Sequence, residues 1–399
     1  MAANGSVDKA LAEAKALVAA LESHDGTPAS HLALLKRTDN IRWALEEPSD
    51  IITRWLDNTG ALSAAYILTR IGAFKEISTD GTGVPASAIA KNCNVDVSVV
   101  TRTIRLLITQ GIFTETGVNE YTHNSLSLAF ASDFLRGFIS MLGDMVKTWS
   151  AFPEYVKAHK PDDIYDLKKS PFAFAAGHEG KTYYEVIDLD PEERHLWNIV
   201  LSMLEKSYPI LGMFPFKEME QEVTSHPDRP FIVDVGGGRG QVLHAVQKEC
   251  GGSFGAELIL QDLPVVIDSL KPEETTGIRP MAYDIFTPQP IKNAHIYFMR
   301  RLLHDFYNPV VVEILKNTIP AMGPSSRLIV CDMIIPERTQ AGVDTALYTM
   351  DFSLLTVSGQ ERTLDEFKAI FDEVGLELIK VYPSGIGQTA MLETRLKSR

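Results

Sequence analysis

The segment FIVDVGGGRGQVLHAV, from Phe231 to Val246, constrains the fold of this chain more than any other. Phe231 to Asp234 is a short apolar run ending on an acid, the pattern of a buried strand. Gly236, Gly237, Gly238 and Gly240 follow as a turn, and Gln241 to Cys250 carries helix-like apolar spacing. A strand–glycine–helix unit lets a ligand approach bare backbone N–H groups at the positive end of a helix. A dinucleotide fingerprint would read GxGxxG with an acid about 20 residues on. Here the spacing is GxGxG, and Gln241 stands where the third dinucleotide glycine belongs.

Strand and helix patterns alternate from Pro230 onward. Strands are expected over residues 231–235, 257–260, 279–282, 294–299 and 327–332, with helices near 240–250, 309–320 and 364–374. Alternation with short connections means a doubly wound, largely parallel α/β sheet. Two last strands, 376–382 and 388–394, are joined by Pro383-Ser384-Gly385-Ile386-Gly387. That turn is too short for a helical crossover, so the pair must be antiparallel.

The N-terminal half reads differently. Leu11, Ala14, Leu17, Val18 and Leu21 form an amphipathic helical stripe, with Asn4 to Ser6 as its expected cap. Helices at 61–74, 85–90 and 97–109, then a hairpin around Thr116-Gly117, make a winged-helix pattern. A DNA reader needs a basic stripe. Residues 86–125 instead balance Lys91, Arg102 and Arg105 against Asp96, Glu115 and Glu120, and the whole chain carries −14. Nucleic acid and anionic membranes are therefore poor partners, and a structural or dimerisation use of this module is expected. Three cysteines without metal-ligand spacing, and no signal-like or spanning segment, point to a cytoplasmic enzyme. The division expected is a winged-helix domain at 1–125, a helical pocket-wall region at 126–225 and a cofactor domain at 226–399. Within the middle region, Trp149, Phe152 and Met203 are candidates for the wall of an aromatic substrate pocket.

Ligands of open α/β sheets sit at the carboxyl ends of the strands. Asp262, 22 residues after Gly240, ends the second strand and can accept from two ribose hydroxyls; Leu263 follows it. Asp284 and Ile285 occupy the corresponding edge after the third strand. His304 and Asp305 come just beyond the fourth strand, Asp332 ends the fifth, and Glu361 precedes Thr363, the expected cap of the next helix. His123, after the wing, has two roles open to it: reaching the pocket, or capping and core.

VDVGGGRG, LQDLP, YDIF, LLHDF and GQERTLDEF, in this order, resemble the S-adenosylmethionine-dependent O-methyltransferases of plant and fungal natural-product pathways, nearest to the caffeate and flavonoid type. The resemblance spans roughly residues 55 to 395. It implies a Rossmann-like methyltransferase domain, a winged-helix homodimerisation domain and S-adenosylmethionine as cofactor. Carried across, Gly236, Gly238, Asp262, Leu263, Asp284, Ile285 and the Arg300 backbone match cofactor contacts. Met203 and Ser207 match a Met-x-x-x-Ser spacing, Met toward substrate and Ser toward the cofactor carboxylate. His304 matches the catalytic base, and Asp332 and Glu361 the carboxylates that orient it.

The chemistry is coherent with those residue types. A sulfonium methyl is already activated, so an aligned nucleophile is the main requirement. A phenol of pKa about 10 is mostly protonated at neutral pH, and an imidazole near 6.5 is a suitable acceptor for its proton. Some fungal relatives bind the same cofactor and catalyse dehydration or pericyclic cyclisation without transferring methyl. Arg300, Arg301 and His123 keep that alternative open, and the intact His304-Asp305 pair favours transfer. The segment 354–358 reads shorter than in phenylpropanoid enzymes, which argues against a monolignol-type acceptor.

Overall fold

A computed structural model describes residues 2–397 except 342, 344 and 386, and leaves the side chains of residues 2–5 and 205–207 undescribed. The chain divides into two compact units, Met1–Gly143 and Asp144–Arg399. The stretch 126–225 is shared between them.

The first unit begins with helices Ala2–Glu22 and Pro28–Leu45, the latter capped by the Thr27 hydroxyl. Asn4 to Ser6 therefore lie inside the first helix, which starts ahead of the expected cap. The wing core comprises helices Pro48–Arg70, Ala86–Asn92 and Val97–Thr109 with strands β1 (Val84–Pro85), β2 (Thr114–Gly117) and β3 (Glu120–Thr122) in the order β1-β3-β2. Leu68, Ile89, Ile104 and Tyr121 are fully buried at its centre. The hairpin turns at Val118-Asn119 and not at Thr116-Gly117, because Gly117 pairs with Glu120 and Asn119 takes the left-handed conformation (φ 58) that Asn tolerates.

The second unit is built on a sheet of β4 (Ile232–Val235), β5 (Leu258–Asp262), β6 (Arg279–Ala282), β7 (Ile296–Arg300), β8 (Arg327–Ile335), β9 (Arg362–Thr363), β10 (Leu376–Pro383) and β11 (Thr389–Leu396). Its order is β10-β11-β8-β7-β4-β5-β6, with β9 pairing the end of β8. Strands β6 to β8 along that path are parallel, and β11 runs antiparallel to both β8 and β10, as the short connection requires.

Period-two alternation divides each central strand between two layers. Val233, Val235, Tyr297, Met299, Leu328 and Val330 face one side. They meet Val311, Ile314 and Leu315 of helix Asn308–Thr318 and Phe367, Ile370 and Phe371 of helix Leu364–Glu373. Ile232, Leu260, Ile296, Phe298 and Ile329 face the other, against Val242, Leu243 and Val246 of helix Gln241–Cys250. Both faces are covered, so the strands read as continuous apolar runs.

The parallel registers set up the site. Val235 pairs with Gln261, Asp262 with Ala282 and Arg300 with Cys331. Gly236, Asp262, Arg301 and Asp332 consequently reach the same carboxyl edge. No helix among the described residues is long and apolar enough to cross a membrane.

Candidate active site

The glycine turn is fixed by its neighbour strand. Gln261 at the end of β5 accepts from the backbone N–H groups of both Gly236 and Gly237 (2.8 and 3.1 Å). Gly237 has no room for a side chain, since a Cβ there would stand 2.5 Å from Leu260 Cδ1 and from Asp234 Oδ2. Asp262 then closes the turn: its Oδ2 accepts from the Gly238 N–H at 2.8 Å and its Oδ1 from the Leu263 N–H at 2.7 Å. Burial pushes this carboxyl above its ordinary value.

Each Asp262 oxygen retains a further lone pair. Beside it, Leu263 and Phe286 expose half and over a third of their surface, and Ile285 is half-buried. Apolar side chains left open at a ligand edge suit the faces of a flat heterocycle. Asp284 is exposed, and its Oδ1 accepts from the Phe286 N–H at 3.0 Å, holding that loop. Arg300 directs Nη2 to the Tyr208 carbonyl at 3.3 Å. The Ser207 side chain lies outside the described residues.

Next along the edge is the turn that carries His304. Arg301 takes a left-handed backbone (φ 50), its N–H bonded to the Cys331 carbonyl at 3.0 Å. This reverses the chain into the single 3-10 turn Leu303–Asp305. His304 is buried there, with Nδ1 3.0 Å from Glu361 Oε1 and Nε2 3.5 Å from Asp305 Oδ1. Donation from Nδ1–H to Glu361 leaves the lone pair on Nε2.

Burial lowers the His304 pKa below its usual 6.5, keeping the ring neutral. The same cause raises the carboxyls of Glu361 and Asp332 to about 7. Asp332 departs from the expected role: both its oxygens are buried without a hydrogen-bond partner. Its charge acts on His304 from nearby, while Glu361 holds the ring by a hydrogen bond.

Four residues that sequence reasoning did not single out secure this geometry. Gln360 donates its N–H to the His304 carbonyl at 2.8 Å, an approach possible because Gly359 has no Cβ, which would sit 2.6 Å from that same oxygen. Asp351, on helix Ala346–Leu354, accepts from the Glu361 N–H at 2.9 Å. Arg362 is fully buried and donates to the carbonyls of Leu303, Phe306 and Gln360 and to Asn308. Thr363 caps the following helix with Glu366 in a reciprocal box, as expected.

The remaining candidates are dispersed. Trp149 stacks on Phe352 (centroids 5.0 Å apart) and donates its indole N–H to the Phe352 carbonyl, next to Asp351. Phe152 packs on Tyr155 instead, in an aromatic group with His159 and Phe174. Met203 is exposed on helix Pro191–Ser207. His123 takes the core role: Nδ1 meets Ser127 Oγ at 3.0 Å, Nε2 meets the Phe74 carbonyl at 2.9 Å, and the ring lies against Phe74 and Phe113. With both nitrogens engaged inside the first unit, it has none left for a substrate.

The sequence profile of the O-methyltransferase domain matches residues 152–377. The chain belongs to the O-methyltransferase family. Across 99% of its length it is 34% identical to the O-methyltransferase hmp5 of Hypomyces subiculosus, 99% of which is covered. It is 30% identical to the demethylsterigmatocystin 6-O-methyltransferase of Aspergillus flavus, over 84% of this chain and 86% of that one. Among solved structures, OxaC in complex with SAH and oxaline superposes with a TM-score of 0.82 at 24% identity, covering 99% of each chain. LepI in complex with SAM gives 0.77 at 23%, over 98% of this family member and all of that chain.

Proposed function

We propose that the chain transfers a methyl group from S-adenosylmethionine to a hydroxyl of a small aromatic or polyketide-type metabolite, with His304 as general base. The observation that carries this reading is the buried imidazole whose Nδ1 lies 3.0 Å from Glu361 Oε1, with Nε2 3.5 Å from Asp305 Oδ1. Gly236, Gly238, Asp262, Leu263, Asp284, Ile285 and Arg300 would hold the cofactor along the strand edge. Asp262 suits ribose hydroxyls, and Leu263 with Ile285 and Phe286 suits the faces of the base. When bound, the cofactor supplies a methyl group already activated for in-line attack. His304 Nε2 takes the hydroxyl proton as the O–C bond forms, and Glu361 stabilises the resulting imidazolium. The fungal relatives named as O-methyltransferases support oxygen as the nucleophile.

The test is stoichiometric. Incubation with labelled cofactor and a hydroxylated acceptor is expected to yield one S-adenosylhomocysteine per methylated product. Conversion of acceptor without S-adenosylhomocysteine would instead favour the pericyclic or dehydrating alternative, which the same fold accommodates in a pericyclic-reaction enzyme at 23% identity.

We further infer a homodimer formed through the first unit. Helix Pro28–Leu45 buries none of its residues, and Leu32, Trp43, Ile52, Trp55 and Leu56 expose 43–71% of their surface along it and its successor. So many large apolar side chains on neighbouring helices mark an interaction surface. Light scattering is expected to give about twice 44.2 kDa, and Trp55→Asp with Leu56→Asp to return it to one chain. A monomeric wild type removes the inference.

A further inference from the structure

The connection between β6 and β7 contains no helix or strand, yet it carries Asp284, Ile285 and Phe286 at the edge beside Asp262. Its start is tied to the neighbouring strand, because the Tyr283 N–H donates to the Asp262 carbonyl at 2.8 Å. The Tyr283 hydroxyl then closes the turn on the Thr287 carbonyl, also at 2.8 Å. Further on, the Gln289 N–H donates at 3.0 Å to the Asn317 carbonyl, near the end of helix Asn308–Thr318.

One more tie is made wholly by side chains. Gln261, on β5, and Gln289 are both fully buried, and their amides meet head to head. Gln261 Nε2 donates to Gln289 Oε1 at 2.9 Å, and Gln289 Nε2 donates to Gln261 Oε1 at 2.8 Å. The backbone fixes which way round they lie. The Ile291 N–H donates to Gln289 Oε1 at 3.0 Å, so Gln289 must turn its oxygen that way and Gln261 must answer with its nitrogen. The surrounding layer is apolar, with Ile259 and Tyr283 buried in it and Met281, Ile285 and Ile291 packed against it. Gln261 is also the residue whose carbonyl anchors Gly236 and Gly237 and whose successor is Asp262. One half of the pair therefore belongs to the glycine turn, and the other to the loop.

Two apolar side chains of similar volume would fill this space at little cost, since removing both partners of a buried hydrogen bond can be nearly neutral for stability. Apolar contacts tolerate sliding, whereas a reciprocal amide pair closes at one distance and one angle. We infer that Gln261 and Gln289 are positioning residues for the nucleoside end of S-adenosylmethionine. Their amide pair holds the loop carrying Ile285 and Phe286 at a fixed distance from Asp262 and the glycine turn. Both side chains are sealed from solvent, so they act through those neighbours and not by contact with the cofactor. The inference rests on the reading of Asp262 and Ile285 as cofactor contacts, and one variant separates the two.

Gln261→Met and Gln289→Met each leave a buried amide unpaired and are expected to lower the melting temperature, and the double variant to recover part of that loss. Affinity for S-adenosylhomocysteine, measured by calorimetry, should follow a different course. It is expected to be ~3–10-fold weaker in both single variants, about the worth of one ordinary hydrogen bond, and no stronger in the double. Hydrogen exchange should quicken in residues 284–291 of the double variant while β7 and β8 keep their protection. Asp262→Ala removes a direct contact and should weaken binding more than either glutamine variant. Unchanged affinity in Asp262→Ala would take that acid away from the cofactor, and the inference with it. A double variant that binds like the wild type, or affinity that recovers in step with melting temperature, overturns the inference alone and leaves Asp262 in place. Unmoved affinity in both single variants does the same, whether or not the double variant folds.

Discussion

Replacing His304 by alanine is expected to lower kcat for methyl transfer by about 10²–10⁴-fold, the usual worth of a positioned general base. The affinity for S-adenosylhomocysteine should not change, since His304 approaches Glu361 and Asp305 and takes no part in the glycine turn closed by Asp262. The pH dependence gives a second handle. With His304 as the proposed base the neutral ring is the active form, and burial lowers its pKa, so activity is expected to be retained as pH falls until an inflection below 6.5. Glu361 and Asp332, pushed up to about 7, release their protons as pH rises through neutrality, and an ionised Glu361 is the better partner for an imidazolium. Rate should therefore climb in two steps, with apparent values that belong to the cluster as a whole. Initial rates from pH 5 to 9, with calorimetry for the cofactor product, test both expectations. Near-normal turnover in His304→Ala removes it from the base role.

The parts of the architecture legible in the sequence were those governed by short periods. Phe231 to Val233, Ile296 to Met299 and Leu328 to Cys331 are buried on both faces of a parallel sheet, so they stand out as unbroken apolar runs. The edge acids Asp262 and Asp284 follow from where those runs end. What stayed hidden depends on contacts distant in sequence. Asp351 lies on a helix whose apolar residues surround it almost evenly, and only the fold brings it to the Glu361 N–H. His123 sits in a plausible pocket position along the chain, but Phe74, 49 residues earlier, supplies the carbonyl that occupies it. Asp332 is at the expected strand position, while the hydrogen bond to the ring comes from Glu361.

Arg362 was hidden for a simpler reason: arginine is among the residues least often fully buried, so the acid of the GQERTLDEF segment drew attention first. Its guanidinium joins two segments that must stay in register for catalysis. It donates to the Leu303 and Phe306 carbonyls, one on each side of His304, and to the Gln360 carbonyl beside Glu361. It also lies near the buried carboxylates Asp332 and Glu361, and near Glu366 and Asp351, as their cation. Arg362→Met is expected to lower stability by about 3–5 kcal/mol, the cost of stripping a buried charge from its partners and leaving carbonyls unpaired. Thermal denaturation reads that loss directly. Activity should fall as well, because a displacement of the base by about 1 Å can cost ~10² in rate.

The pH profile distinguishes positioning from mere support of the fold. Arg362 holds the pKa values of His304, Glu361 and Asp332 down, so its removal should move the acid limb of the rate profile to higher pH. Arg362→Lys retains the charge but not the planar fork that spans three carbonyls and Asn308. It should return the acid limb most of the way to its original position and leave kcat depressed. A lysine variant that recovers kcat fully, or a methionine variant that is destabilised with an unshifted pH profile, would reduce Arg362 to a purely structural residue.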